Sequence, residues 1–111
     1  MQETTQKPLR VADGDELDAV LAEQDRVLVE FYTKGCSLCQ AIEPVLGNVA
    51  RETGVTVAMV NPGNDISLVD EWDVTSAPTL VLVEDGEEVA RLADGFQGGD
   101  DIEAFLDEHL D

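Results

Sequence analysis

Hydrophobic residues follow two different periods along this chain, one typical of strands and one typical of helices. Short apolar runs bounded by turn residues predict five strands, at residues 9–11, 26–32, 55–60, 79–84 and 87–93. Apolar positions at helical spacing predict four helices, at about residues 16–24, 36–53, 66–72 and 100–110. Asp65 is in position to cap the third helix, and Pro44 is expected to bend the second.

The order of these elements predicts an α/β fold. Strands separated by helices pair in parallel, whereas the last two strands flank Asp85-Gly86, a strong signal for an antiparallel hairpin. We therefore expect a central mixed five-stranded sheet flanked by four helices. The chain, 1–111, is long enough for one domain, with residues 1–8 as a flexible N-terminal extension.

The charge composition is strongly one-sided. The chain has 25 acidic residues against 6 Lys and Arg, which gives a formal net charge of −19. Because nucleic acid and anionic membranes bind cationic surfaces, neither is an expected partner. The acidic residues are spread along the chain, and this pattern favours adaptation to high salt, where screening relieves self-repulsion. An acidic protein with a basic partner is the alternative interpretation.

The sequence carries no signal for export or for a membrane span. No apolar run approaches the roughly 20 residues that a transmembrane helix needs, and the polar stretch 1–8 lacks the apolar core of a signal peptide. We therefore expect a cytoplasmic protein, in a compartment where thiols are mostly kept reduced.

Both cysteines of the chain, Cys36 and Cys39, lie three residues apart near the predicted start of the second helix. A disulfide across two residues restricts the unfolded chain very little, so a structural cross-link is a poor explanation. A zinc site needs about four ligands, and the chain adds only one histidine, His109, so we expect no metal. His109 is instead expected to stabilise the C-terminal end of its own helix. Reversible thiol–disulfide chemistry fits the spacing best.

The position of the two cysteines also predicts their order of action. At a helix start, unpaired N–H groups and the positive end of the dipole favour the thiolate, which lowers a cysteine pKa from about 8.5 into the range of roughly 3.5–7.5. Cys36 has this position, and Lys34 adds a nearby cation. Cys39 lies one turn deeper and is expected to be less exposed and to act second.

A carboxylate interrupts the second predicted strand. Glu30 stands within the apolar run 26–32, in a strand that should be buried on both faces. Burial of an unpaired charge is costly, so Glu30 needs an explanation. It either has a chemical role, or it is paired or faces an exposed edge.

Two segments resemble the thioredoxin family. The residues "VLVEFYTKGCSLCQAIEPVLGNVA" are similar to the active-site strand and helix of thioredoxins, with Pro44 five residues after the second cysteine. The residues "SAPTLVLVEDGEEV" are similar to the family's Ile-Pro-Thr and hairpin segment, with Pro78 at the position of its cis-proline. The resemblance extends over about residues 9–110, in the same order of elements.

This resemblance implies a thioredoxin-like fold and a role for each site residue. Cys36 is implied to be the nucleophile, Cys39 the resolving thiol, and Glu30 the buried acid that takes a proton from Cys39 through a water. Pro78 in cis would lie against the dithiol, with a trans strand-entry proline as the alternative. The implied substrate-binding residues are Gly35, Ser37, Leu38, Ala77 and Pro78.

Three positions depart from the family pattern. Gly35 stands where the family usually has Trp, Ser37-Leu38 replaces Gly-Pro between the cysteines, and Met59 replaces a lysine that usually partners the buried acid. The dipeptide between the cysteines tunes the reduction potential, so the potential does not follow from the resemblance. Trp72 is not expected to substitute for the missing Trp, because it reads as a core anchor of the short helix.

The resemblance implies a protein-disulfide reductase that needs no cofactor beyond the Cys36–Cys39 couple. Its implied partners are protein disulfides and a thioredoxin-reductase-like or other dithiol electron donor, and the protein is expected to be a monomer. The alternative is a thioredoxin-like module that binds a partner or senses redox state without turnover. Peroxide reduction is a weaker alternative, since it needs an arginine near Cys36 and none is close in sequence.

Overall fold

The computed structural model describes residues 7–109, which form a five-stranded sheet covered by four α-helices. The strands are β1 (Leu9–Val11), β2 (Arg26–Phe31), β3 (Thr56–Val60), β4 (Thr79–Glu84) and β5 (Glu87–Leu92). The helices are α1 (Gly14–Glu23), α2 (Ser37–Thr53), α3 (Ser67–Glu71) and α4 (Gly99–Glu108). The expected α/β fold is confirmed. Most of the proposed extension, residues 1–6, and the apolar position Leu110 lie outside the described residues.

The strand order β1-β3-β2-β4-β5 places β2 at the centre of a mixed sheet. Strands β1, β3 and β2 are parallel, whereas β4 pairs antiparallel with both β2 and β5. Asp85 and Gly86 have φ of 52° and 83°, the left-handed backbone that a tight hairpin turn requires, so the predicted hairpin is confirmed. Because β2 has two strands on each side, the chain that follows it leaves the sheet at the carboxyl end of the central strand.

Alternate residues of β2 enter two separate cores. Val27, Val29 and Phe31 pack in a cluster with Leu17 of α1 and with residues of α3. Leu28 lies on the other face, in a cluster with residues of α2 and α4. Glu30 belongs to this second face by alternation, beneath α2.

The segment before α3 differs from the prediction. The N-cap of α3 is Ile66, so the prediction that Asp65 caps this helix was wrong. The Asp65 carboxylate instead accepts hydrogen bonds from the Ser67 hydroxyl and from the Gly14 N–H of α1. A 3-10 turn at Pro62–Asn64, which periodicity did not reveal, ends at Asp65 in extended backbone. The Asp65 side chain therefore points towards α1.

Trp72 packs against the core cluster that contains Phe31, with ring centroids 5.5 Å apart. The prediction that Trp72 anchors the short helix is confirmed.

No helix within residues 7–109 is both long and apolar enough to cross a bilayer.

Candidate active site

The two cysteines lie where β2 passes into α2, at the carboxyl end of the central strand. Cys36 is the N-cap of α2, and its Sγ accepts a hydrogen bond from the Cys39 N–H at 3.0 Å. The cysteines form a disulfide, with Cα atoms 5.2 Å apart, a separation within the range that disulfides usually span. Cys36 is half-buried, whereas Cys39 is only 5% exposed. The prediction that Cys39 is the more buried thiol is confirmed.

The turn before Cys36 depends on a glycine. Gly35 has φ of 79°, a left-handed conformation that strains any residue with a side chain. This conformation brings the chain from Lys34, which is exposed, to Cys36 at the helix start. Gly35, Ser37 and Leu38 are all exposed around the disulfide. An incoming peptide can therefore reach them.

A second loop, which contains Ala77 and Pro78 and precedes β4, also lies near the disulfide. The Ala77–Pro78 peptide bond is cis, so the trans alternative was wrong. The Ala77 carbonyl oxygen lies 3.8 Å from Cys36 Sγ. Thr79, which is buried at the start of β4, donates its hydroxyl to the Ser76 carbonyl at 2.7 Å and fixes the loop. The loop thus presents the Ala77 backbone beside Cys36.

Glu30 lies below the dithiol and is almost fully buried, at 1% exposed. Its Oε2 has no hydrogen-bond partner among the described residues. Burial raises the pKa of Glu30 to about 7, with a further rise from the negative charge of Glu43 and an opposing effect of Arg10. The alternative that Glu30 is paired or faces an exposed edge is therefore wrong. At neutral pH both forms of its carboxyl are present.

A cavity of about 280 Å³ joins Glu30 to the dithiol. Its wall is formed by residues of β1, β2, the following loop and α2, namely Arg10, Glu30, Tyr32, Thr33, Lys34, Gly35, Cys39, Gln40 and Glu43. A space of this size with polar walls can hold water, and water between Glu30 and Cys39 provides a route for a proton. The arrangement thus suits proton exchange between the buried carboxyl and the buried thiol.

The site shows no sign of a metal centre within residues 7–109. No group of three or more His, Cys, Asp or Glu side chains is arranged there to hold a metal ion. His109 lies at the C-cap of α4, where its ring packs edge-on against Phe105 with centroids 5.3 Å apart. That His109 stabilises its helix by charge stays a prediction.

Comparison with known proteins settles the family. The family model described as Thioredoxin matches residues 9–108. The chain belongs to the thioredoxin family. It is 33% identical over 85 residues to a thioredoxin of Chlamydia pneumoniae, covering 76% of this chain and 82% of that protein. It is 31% identical over 86 residues, 76% of this chain, to a bifunctional thioredoxin reductase/thioredoxin of Mycobacterium leprae, and spans 19% of that protein.

A solved structure gives a close match over the whole fold. A mutant thioredoxin from Halobacterium salinarum superposes with a TM-score of 0.89 at 32% identity, covering 100% of this chain and 97% of the other. Thioredoxins are thiol–disulfide oxidoreductases, and this chain has the redox-active Cys36–Cys39 disulfide at the family position. It is accordingly a thiol–disulfide oxidoreductase that acts on protein disulfides.

Sequence reasoning missed two residues of this site. Arg10 on β1 and Glu43 on α2 form an ion pair on the wall of the Glu30 cavity. Glu43 follows Cys39 by four residues and so shares its helix face, a signal that was present in the sequence. Nothing local marked Arg10, because it reaches the site through the pairing of β1 with β3.

Proposed function

We propose that this protein reduces protein disulfides, with Cys36 as the nucleophile, Cys39 as the resolving thiol and Glu30 as the proton acceptor. Cys36 thiolate attacks one sulfur of the substrate disulfide, forms a mixed disulfide and displaces a substrate thiolate. Cys39 then gives its proton to Glu30 through water and attacks Cys36 Sγ. The substrate leaves with two thiols, and the two electrons come from the Cys36–Cys39 dithiol.

One observation carries this assignment: Cys36 is the accessible N-cap of α2, while Cys39 is buried on the wall of the cavity that also contains Glu30. The accessible sulfur can meet a large substrate, and the buried one cannot. The substrate-binding surface comprises the exposed Gly35, Ser37 and Leu38 beside Cys36 and the half-buried Ala77, with the buried Pro78 next to Ala77. In this role the Ala77 backbone pairs with an extended segment of the substrate.

The electron donor that fits this chain is a thioredoxin-reductase-like enzyme. The related Mycobacterium leprae protein, whose name joins a thioredoxin reductase to a thioredoxin, supports this proposal. We place the protein in the cytoplasm, acting as a monomer and as a single thioredoxin-like domain. The net charge of −19 and the similarity to a Halobacterium salinarum thioredoxin support a role at high salt.

The test is turnover of a protein disulfide, for example reduction of insulin with dithiothreitol as the electron source. We expect catalysis by the wild type, none by Cys36→Ser, and a trapped mixed disulfide between substrate and Cys36 in Cys39→Ser. A wild type that binds a disulfide protein without reducing it would support the binding-module alternative instead. A mixed disulfide trapped through Cys39 in Cys36→Ser, with none in Cys39→Ser, would reverse the assigned roles.

A further inference from the structure

An ion pair lies at the rim of the Glu30 cavity. The Arg10 guanidinium of β1 donates a hydrogen bond to the Glu43 carboxylate of α2, and both side chains are about half exposed, at 53% and 45%. Arg10 also lies over the Tyr32 ring, 5.5 Å from its centroid, which fixes the direction of the guanidinium. The pair therefore connects the edge strand to α2 across the solvent side of the cavity.

The strand register explains why the cation comes from so far along the chain. Glu30 of β2 is opposite Met59 of β3, and Met59 is opposite Arg10 of β1. These three residues form one row on the face of the sheet that lies beneath α2. Because the middle position is an apolar methionine, the row supplies a positive charge only at the exposed edge strand, at Arg10.

The other groups around Glu30 come from each element that packs there. Lys34 on the loop before α2, Tyr32 and Cys39 line the same cavity, and β4 contributes the apolar Leu80 opposite Glu30. Burial is the largest influence on the pKa of Glu30 and raises it; Glu43 raises it further and Arg10 lowers it. The two members of the pair thus act on Glu30 in opposite directions.

We propose that the Arg10–Glu43 ion pair is a positioning element in which each charge offsets the effect of the other on Glu30, so that burial, and not the acidic surface, governs when Glu30 carries a charge. The pair matters in this chain because most of its surface charge is negative. An unbalanced charge at the rim acts on Glu30 across the cavity, at an effective dielectric constant below that of bulk water, and salt screens this interaction only in part. The proposal rests on the proposed function in one respect only, namely that the charge of Glu30 affects the attack of Cys39 on the mixed disulfide.

The experiment follows the Glu30 carboxyl itself by ¹³C NMR titration of the oxidised protein, in wild type, Arg10→Gln, Glu43→Gln and the double variant. Arg10→Gln leaves Glu43 unbalanced and should move the titration midpoint to higher pH. Glu43→Gln leaves Arg10 unbalanced and should move it to lower pH. We expect each single variant to change the proton affinity of Glu30 roughly threefold or more, and the double variant to return close to wild type.

Matched controls come from the Arg91–Glu88 ion pair of β5, which lies outside the cavity. Arg91→Gln and Glu88→Gln change the net charge by the same amounts and should leave the Glu30 midpoint in place. At molar salt the two opposite shifts should shrink, because both Arg10 and Glu43 are half exposed. Shifts of the same sign in the two single variants, or shifts no larger than those of the controls, would overturn the proposal.

A second readout separates this proposal from the proposed function. The pH dependence of mixed-disulfide resolution, measured by single-turnover quench, should move with the NMR midpoint in each variant. If the NMR midpoint moves as expected and the resolution profile stays fixed, the pair governs Glu30 but Glu30 is not the proton acceptor. If both move together, the pair and the acceptor role are supported at once.

Discussion

At the level of single residues, the site is defined by contrasts in exposure between chemically similar groups. Cys36 is half-buried at a helix N-cap, whereas Cys39 is 5% exposed one turn later. Glu30 and Glu43 are both carboxylates near the same cavity, yet one is buried and the other is paired with Arg10 at the rim. These differences in environment give different chemical properties to groups that are alike in the sequence.

The first prediction concerns thiol reactivity. In the reduced protein at pH 7, iodoacetamide should alkylate Cys36 about tenfold or more faster than Cys39, because Cys36 is accessible and lies at a helix N-cap, a position that activates thiols. Peptide mass spectrometry of timed samples gives both rates. Cys36→Ser, in which Cys39 is the remaining thiol, is the control and should react slowly. Faster alkylation of Cys39 would reverse the assignment.

The second prediction concerns Glu30 in catalysis. Glu30→Gln is nearly isosteric but cannot accept a proton, so resolution by Cys39 should slow by about 100-fold or more at neutral pH. Attack by Cys36 depends on the helix terminus and should change little. Mixed disulfide should therefore accumulate during turnover, as measured by mass spectrometry of acid-quenched samples. Equal amounts of mixed disulfide in variant and wild type would show that Glu30 is no proton acceptor.

The third prediction concerns the same substitution and stability. A folded-state pKa of about 7, against a usual value of 4.5, means that folded Glu30 stays protonated over a pH range in which the unfolded chain ionises. Wild type should therefore lose stability relative to Glu30→Gln as pH rises from about 4.5 to 7, by up to about 3 kcal/mol. Below about pH 4 the difference in the free energy of unfolding between the two proteins should be constant.

Urea unfolding of both proteins across pH measures this difference. The other carboxyls titrate alike in the two proteins, so their contributions cancel. A difference in the free energy of unfolding that is flat from pH 4 to 8 would contradict the raised pKa.

At the level of elements, α2 is the part of the fold that carries the chemistry. It presents Cys36 at its N-cap, buries Cys39 one turn later and places Glu43 at the cavity rim. Its apolar face, including Ile42, Leu46 and Val49, packs in the core cluster shared with the sheet and α4. This packing fixes the position of the helix start relative to Glu30 and the Ala77–Pro78 loop.

The fourth prediction uses two glycines of this helix as a matched pair. Gly47 lies inside α2, where an added Cβ would meet Arg51 at an ordinary 3.6 Å, so Gly47→Ala should stabilise the protein by about 0.5–1 kcal/mol. Gly54 is the C-cap with φ of 78°, so Gly54→Ala should destabilise it by about 1 kcal/mol. Denaturant midpoints of both variants test this, and shifts of equal sign would refute the conformational argument.

At the level of the whole molecule, charge is the unusual property. A formal charge of −19 on 111 residues opposes compaction at low ionic strength, because like charges repel over a Debye length of about 30 Å at 0.01 M salt. The two core clusters and the five-stranded sheet stabilise the folded state, and this repulsion opposes them. Salt should therefore act on the stability of the fold.

The fifth prediction is a melting temperature that rises steeply from 0.01 M to molar salt. Thermal unfolding followed by circular dichroism in sodium chloride gives the curve. Sodium sulfate at matched ionic strength separates screening from the general strengthening of apolar burial. A flat curve from low to molar salt would remove the case for a high-salt role and leave the redox argument intact.

Much of the fold could be predicted from the sequence, because local physics decides it. The five strands and four helices follow from apolar periodicity, the hairpin from Asp85-Gly86, and the reactive pair from two cysteines at a helix start. The short segment before α3 was the exception. There Asp65 bonds to Gly14, 51 residues away, and no local pattern encodes that contact.

The sequence by itself determined which groups can do chemistry here: a dithiol at a strand–helix junction and a carboxylate in an apolar strand. Only the tertiary structure decided how they act together. Strand pairing brought Arg10 into a row with Glu30, and helix packing set Glu43 opposite Arg10. The physical reason is that periodicity reports which face a residue occupies, whereas pKa values depend on distances and burial, which exist only once the sheet and α2 have packed.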